Sequence, residues 1–350
     1  MCATRSRVLS IRVPLLVVTM AGLMAGLVAG LARMGWNVPI GAGVGAVHGP
    51  LLVFGVFTAL IGIERAAAFE ARWTYAGPGA AVLTALALVS GMPDVASVLA
   101  VAGATGMAAL NVAIVRRQAS TPTWLMLLAS LVLVASAIAW ATGAPVPLLV
   151  PSWIAFFALT ISSERLEISR FVSPPAWAVR ALTLASLTLA VASVIAIASP
   201  RVALRITGSA LVIVSAWLLR FDIARRLVRQ TGLAQFTAVA VLSGSAWLGV
   251  AGLQIALTGL PVAGPLYDAA LHAVFVGFVL TMVMAHAPII LPAIVGIAIP
   301  YHRVFFVPLA LLQISLVVRV VADWSGAGAW RQWAGVANIG ALLLFAASAF

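Results

Sequence analysis

Long runs of apolar residues alternate with short polar or Pro/Gly-containing breaks along the whole chain. The runs last about 18 to 25 residues, the length that an α-helix needs to cross a hydrocarbon core of about 30 Å. Strand-like alternation of apolar and polar residues is absent, so helices are the predicted spanning elements. The pattern predicts an all-α, polytopic transmembrane bundle of about twelve helices in a single transmembrane domain, residues 1–350. The helices are predicted at 11–33, 40–63, 76–92, 95–115, 122–142, 145–163, 177–199, 203–220, 235–258, 267–290, 303–322 and 331–350.

Composition supports a membrane protein and excludes several other classes. Of 350 residues, 64% are hydrophobic and only 8% are charged, against roughly 25% charged residues in soluble domains. The net charge of +12 is carried by arginines spaced between the apolar runs, and this placement argues against nucleic-acid binding. Cys2 is the only cysteine, so a disulfide framework and a cysteine-rich metal or iron–sulfur site are excluded. The predicted partner is the lipid bilayer.

The arginines also predict the orientation of the chain, because cytoplasmic loops are enriched in positive residues. With the N-terminus inside, fifteen of the twenty arginines fall on the inner side. Basic residues precede the first apolar run as in a secretory signal, but the run is long and lacks a clear cleavage site, so a retained first helix is expected. Both termini are therefore predicted to be cytoplasmic. The five outer arginines are Arg33, Arg201, Arg205, Arg319 and Arg331.

Carboxylates are confined to predicted helix ends and loops. Arg319 and Asp323 are spaced i,i+4, which predicts that their charges neutralise each other. Because no carboxylate is predicted near the middle of the membrane, the sequence offers little support for an ion-coupled transporter.

Histidines are the candidate functional residues within the apolar runs. His48 and His272 lie about eight and five residues into the second and tenth helices, which run in the same direction. At about 1.5 Å per residue, both lie roughly 8–12 Å below the outer boundary. This shared depth fits two axial ligands of one haem, since neutral imidazole is a common iron ligand. The structural alternative is a histidine that hydrogen-bonds across a helix interface.

Two further histidines lie toward the inner side. His286 is a second candidate metal ligand, but it is about 21 Å along the helix from His272, too far to share one metal ion. It precedes a stretch interrupted by Pro288 and Pro292, and a structural role at that kink is favoured. His302 is expected to be interfacial.

Two helix ends suggest an internal repeat. The second helix ends in Glu64-Arg65 and the sixth in Glu164-Arg165, four predicted helices apart. The tenth helix, four further on, shares with the second a histidine followed by a Gly/Phe-rich stretch. One interpretation of this similarity is an internal repeat that forms three four-helix arcs. The alternative is that helix ends on the inner side often carry such charges.

One segment begins at His48 (HGPLLVFGVFTALIGIER) and another begins at His272 (HAVFVGFVLTMVMAHAP). Both segments resemble NnrS-type bacterial membrane proteins, which are associated with haem, copper and nitric oxide stress. The helix count resembles subunit I of haem-copper oxidases, in which the second and tenth helices each give a histidine to a low-spin haem. The resemblance implies a bis-histidine haem b in the bacterial inner membrane, ligated by His48 and His272, with Arg201 and Arg205 pairing the propionates. The implied roles are electron transfer, sensing or a response to nitrosative stress, with a redox partner or nitric oxide.

The oxidase-type copper site has no counterpart here, because the sixth and seventh predicted helices contain no histidine. The ligand count therefore does not support copper, and no complete haem-copper reaction centre is predicted. Two other functions stay open: a small-molecule or metal permease whose histidines line a path, and a scaffold subunit without a cofactor.

Overall fold

The computed structural model describes residues 2–38, 45–296 and 298–348, without the side chains of residues 2–10, 197, 198 and 201. Within these ranges every regular element is helical, so the all-α prediction is confirmed. Each of the twelve predicted helices overlaps a helix of the structure. In chain order α1–α12 are Cys2–Arg33, His48–Phe69, Ala76–Val89, Pro93–Arg117, Thr121–Ala141, Val146–Ser169, Ala176–Ala198, Pro200–Phe221, Leu233–Thr258, Pro265–Val295, Phe306–Ser325 and Gly328–Ser348.

Helix length and apolarity identify a multi-pass membrane protein. Ten helices within the described ranges are long and apolar enough to cross a bilayer. Helices α3 and α12 are not among them. The 14 residues of α3 span about 21 Å, less than the hydrocarbon core of about 30 Å. Short helices at Arg72–Tyr75, Arg170–Val172, Ala224–Leu227 and Arg303–Phe305 connect the long ones.

Three helices extend five or more residues beyond their predicted C-terminal ends. Helix α2 continues to Phe69 and closes on Glu70, which has a left-handed φ of 63°. Helix α6 continues to Ser169 and α10 to Val295. In α6 the extension takes a charged residue into the protein, because Arg165 is paired there with a carboxylate. The predicted start of the second helix at residue 40, and residues 349–350, lie outside the described residues.

The chain forms two compact units. The first comprises Met1–Trp153 and Ile289–Ala298. In it α3, α4 and α5 pack as sequential antiparallel neighbours, while α2 packs on α1 and α3. Leu51 of α2 is fully buried in an apolar cluster with Ala85, Leu88 and Ala96.

The second unit comprises Ile154–Pro288 and Ile299–Phe350. Helices α7, α8 and α9 pack in sequence, α9 lies along the middle of α10, and α11 and α12 form a helical hairpin. An aromatic cluster of Phe236, Phe305 and Phe345 joins α9 to this hairpin, with ring centroids 5.7–6.3 Å apart. Each unit thus contains one of the two candidate haem-ligand histidines.

Candidate functional site

A π-helical segment begins within three residues after each candidate histidine. In α2 the turn His48–Pro50 leads into a π-helix at Leu51–Phe57, and in α10 His272 is followed by a π-helix at Ala273–Leu280. A π-helix bonds each carbonyl to the amide five residues on, and such segments are rare and are frequently found at functional sites. Both units therefore pair a histidine with the same unusual backbone.

Each π-helix ends at a threonine and carries a closely packed glycine. Thr58 Oγ1 donates to the Val53 carbonyl at 2.8 Å, and Thr281 Oγ1 donates to the Val276 carbonyl at 3.4 Å, each five residues back. A Cβ at Gly55 would lie 2.8 Å from Cβ of Ala85, and one at Gly277 would lie 2.5 Å from Trp247. These glycines let the widened helix approach its neighbour.

His48 is held against α1. Its Nδ1 lies 2.7 Å from the Gly26 carbonyl oxygen, and a Cβ at Gly30 would lie 3.0 Å from Cε1 of the ring. Because a carbonyl only accepts, Nδ1 carries the proton and Nε2 is the nitrogen with the lone pair. The sequence of α1 thus fixes the tautomer of a histidine on α2.

His272 is held by its own helix. Its Nδ1 lies 2.8 Å from the backbone oxygen of Asp268, one turn earlier, and 3.3 Å from the Oδ1 atom of the same residue. Nδ1 is again the protonated nitrogen and Nε2 carries the lone pair. A carboxylate beside the ring nitrogen that does not bind the metal, here Nδ1, increases the basicity of a metal-binding histidine.

A charge network surrounds Asp268. Arg319 donates to Asp268 Oδ2 at 2.8 Å, and Arg331 Nε lies 3.3 Å from the same oxygen. Arg331 Nε also lies 3.2 Å from Oδ1 of the buried Asp323. Two arginines and two carboxylates therefore balance one another beside His272. The i,i+4 pairing predicted for Arg319 and Asp323 describes only part of this network, since Arg319 reaches Asp268 on another helix.

His286 belongs to a different network. Its Nδ1 lies 2.7 Å from the Met282 carbonyl, and its Nε2 lies 3.5 Å from Nη1 of Arg165. A guanidinium only donates, so Nε2 accepts and cannot simultaneously bind a metal. Arg165 is in turn held by Asp222 through two contacts of 2.6 Å. This geometry favours the structural role of His286 over metal binding.

The remaining candidate residues lie apart from these contacts. Arg205 is exposed on α8. Arg201 is in the first turn of the same helix, and its side chain lies outside the described part of the structure. His302 is exposed, as expected of an interfacial residue. No group of three or more His, Cys, Asp or Glu side chains among the described residues could hold a metal ion.

Sequence reasoning missed Asp268 and the arginines that reach it. The sequence places Asp268 at a predicted helix end, although its i,i+4 spacing to His272 signals a contact on one helix face. Arg319 and Arg331 come from α11 and α12, and no local spacing connects them to α10. The π-helices were also missed, because their hydrophobic pattern resembles that of any buried helix.

Comparison with known proteins and protein families identifies the family of this chain. No curated protein matches this chain. A family model described as "Domain of unknown function (DUF8744)" matches residues 12–350, nearly the whole chain. The chain therefore belongs to the DUF8744 family.

Proposed function

We propose that this protein is a haem-binding protein of the bacterial inner membrane, with both termini in the cytoplasm and with His48 and His272 as axial ligands of a b-type haem. The observation that carries the proposal is the shared histidine geometry. In both residues Nδ1 bonds to a backbone carbonyl, and Nε2 is the lone-pair nitrogen, at the start of a π-helix. Histidines that bind metals almost always donate their other ring N–H in this way.

The residues around the histidines fit such a group. Gly30 leaves the His48 ring room to lie against α1, so the ring plane is set by packing as well as by a hydrogen bond. Near His272, Asp268 and Asp323 already balance the charges of Arg319 and Arg331, so other arginines would have to pair with the carboxylates of a haem. Arg201 and Arg205, the arginines favoured by sequence, stay predictions for the same role.

Bound haem would supply one-electron chemistry. The chain's contribution would be to hold the two imidazoles in one tautomer and to keep the site in an apolar surrounding. Asp268 would make His272 the more basic ligand, while the Nδ1 atom of His48 bonds to a neutral carbonyl. We propose electron transfer, sensing or a nitrosative-stress response as the role, in keeping with the resemblance to NnrS-type proteins.

Visible spectra of the detergent-purified protein test the proposal. We expect sharp reduced α and Soret bands, with about one haem per chain by pyridine haemochrome assay. His48→Ala and His272→Ala should each abolish the low-spin spectrum. His302→Ala is the matched control, because His302 is exposed and should leave the spectrum unchanged. A folded but colourless protein from haem-replete cells would contradict the proposal and favour a permease or a scaffold.

A further inference from the structure

A large cavity opens at the end of the second unit that is predicted to face the cytoplasm. It has a volume of about 1120 Å³ and lies between α7, α8 and the short helix Ala224–Leu227. One wall is apolar and includes Val212, Ile213 and Ala216 of α8. The cavity is far larger than a single inorganic ion requires.

The rim of the cavity is cationic. Four exposed arginines line it, and within the described part of the chain none of them forms an ion pair with a carboxylate. Arg225 donates to the backbone oxygen of Arg220 at 3.3 Å, which holds two of the four together. The four are Arg220, Arg225, Arg226 and Arg229.

Asp222 is the acidic residue of the lining, and its charge is already compensated. Its two oxygens accept from Arg165 at 2.6 Å each, and Oδ1 also accepts from the Ala224 amide at 2.7 Å. The side chain is fully buried. The pair anchors the turn that presents the arginines, and it leaves the rim with a net positive charge.

The aromatic residues at this rim are of the kind expected at the depth of lipid headgroups. Trp177 lines the cavity and is 63% exposed, as expected of tryptophan at a membrane interface. Its ring packs edge-on against Phe221 at 5.4 Å. An apolar wall, an interfacial tryptophan and a cationic rim match an amphiphile with an acyl chain and an anionic head.

We propose that the cavity binds one anionic phospholipid with two phosphates, as in a cardiolipin-type headgroup. The arginines of the rim pair with the phosphates, which guanidinium groups bind in bidentate fashion, and an acyl chain lies along Val212, Ile213 and Ala216. Basic pockets between helices on the cytoplasmic side recognise such headgroups. Zwitterionic lipids lack the net charge for this rim, and free phosphate has no chain to fill the wall.

Native mass spectrometry of the delipidated full chain, titrated with tetraoleoyl cardiolipin, tests the proposal. The variant R225Q/R226Q/R229Q should bind the lipid about a hundredfold more weakly, since each arginine near the headgroups contributes about a factor of five. The matched control is R72Q/R116Q/R117Q, which removes the same charge from exposed arginines of the first unit. Its affinity should stay within about threefold of the parent protein.

A second variant separates shape from charge. Ala216→Trp fills the apolar wall at an exposed position without changing any charge, and it should lower affinity for the lipid about tenfold. Equal weakening by both arginine triples would show unspecific attraction and overturn the proposal. Displacement of the lipid by millimolar inorganic phosphate would also overturn it, because the occupant would then be a soluble anion.

Discussion

The two histidine-bearing segments reach the same result by different physical means. Each fixes a proton on Nδ1 and begins a π-helix that ends at a threonine. His48 depends on a neighbouring helix, through the Gly26 carbonyl and the space beside Gly30. His272 depends on its own helix and on a charge network that reaches α11 and α12. Close packing maintains the first site, and electrostatics maintains the second.

The largest expected effect comes from removing the central carboxylate of the second site. Asp268→Asn takes away one of two carboxylates that balance Arg319 and Arg331, in surroundings where Arg319 is only 5% exposed. Breaking such a pair costs about 3 kcal/mol, measured as the loss in unfolding free energy in detergent. Asp94→Asn at the exposed start of α4 is the control and should cost under about 1 kcal/mol. Equal costs would mean that the network contributes no more than a surface charge.

A smaller effect should follow from filling the space beside His48. At Gly30 a side chain meets the ring at 3.0 Å, whereas at Gly79 nothing lies within 4 Å. Gly30→Val should therefore destabilise the protein by about 1–3 kcal/mol more than Gly79→Val, because the ring is fixed by its hydrogen bond. Thermal unfolding of both variants measures the difference. Indistinguishable unfolding midpoints of the two variants would show that the His48 ring moves freely. That result would contradict a site maintained by close packing.

The threonines at the ends of the π-helices give the smallest and most discriminating test. Thr58→Val loses one hydrogen bond and should cost about 1 kcal/mol. Thr281→Val also removes the acceptor of the Gln313 amide at 3.1 Å, so it should cost about 2 kcal/mol. Thr84→Val is the control, since Thr84 bonds an ordinary carbonyl four residues back. A larger loss of stability for Thr58→Val than for Thr281→Val would show that the π-helix of α10 does not depend more on polar contacts than the π-helix of α2.

Sequence was sufficient for the helices because membrane thickness dictates their lengths. Each predicted helix overlaps a helix of the structure, and the differences lie at the ends, as in α6, where charges at Glu164 and Arg165 suggest a boundary that the structure does not have. The pairing of Arg165 with Asp222, 57 residues away, allows the helix to continue. No local pattern contains that information.

The candidate site was predictable only in part for the same reason. His48 and His272 were identified from depth and neighbours, but their hydrogen-bond partners depend on tertiary contacts. The Gly26 carbonyl is 22 residues from His48, and Arg319 is 51 residues from Asp268. The π-helices escaped prediction because apolar residues fill every face of α2 and α10 there.

The buried pair of Arg165 and Asp222 has a consequence for how the protein is made. Arg165 leaves the ribosome 57 residues before its partner, which at roughly 5–20 residues per second is an interval of about 3–11 s. During that time the end of α6 carries a charge whose burial is too costly without Asp222. The guanidinium must wait at the membrane surface until α8 is inserted. Closure of this end of the second unit is therefore a late step in biogenesis, timed by translation itself.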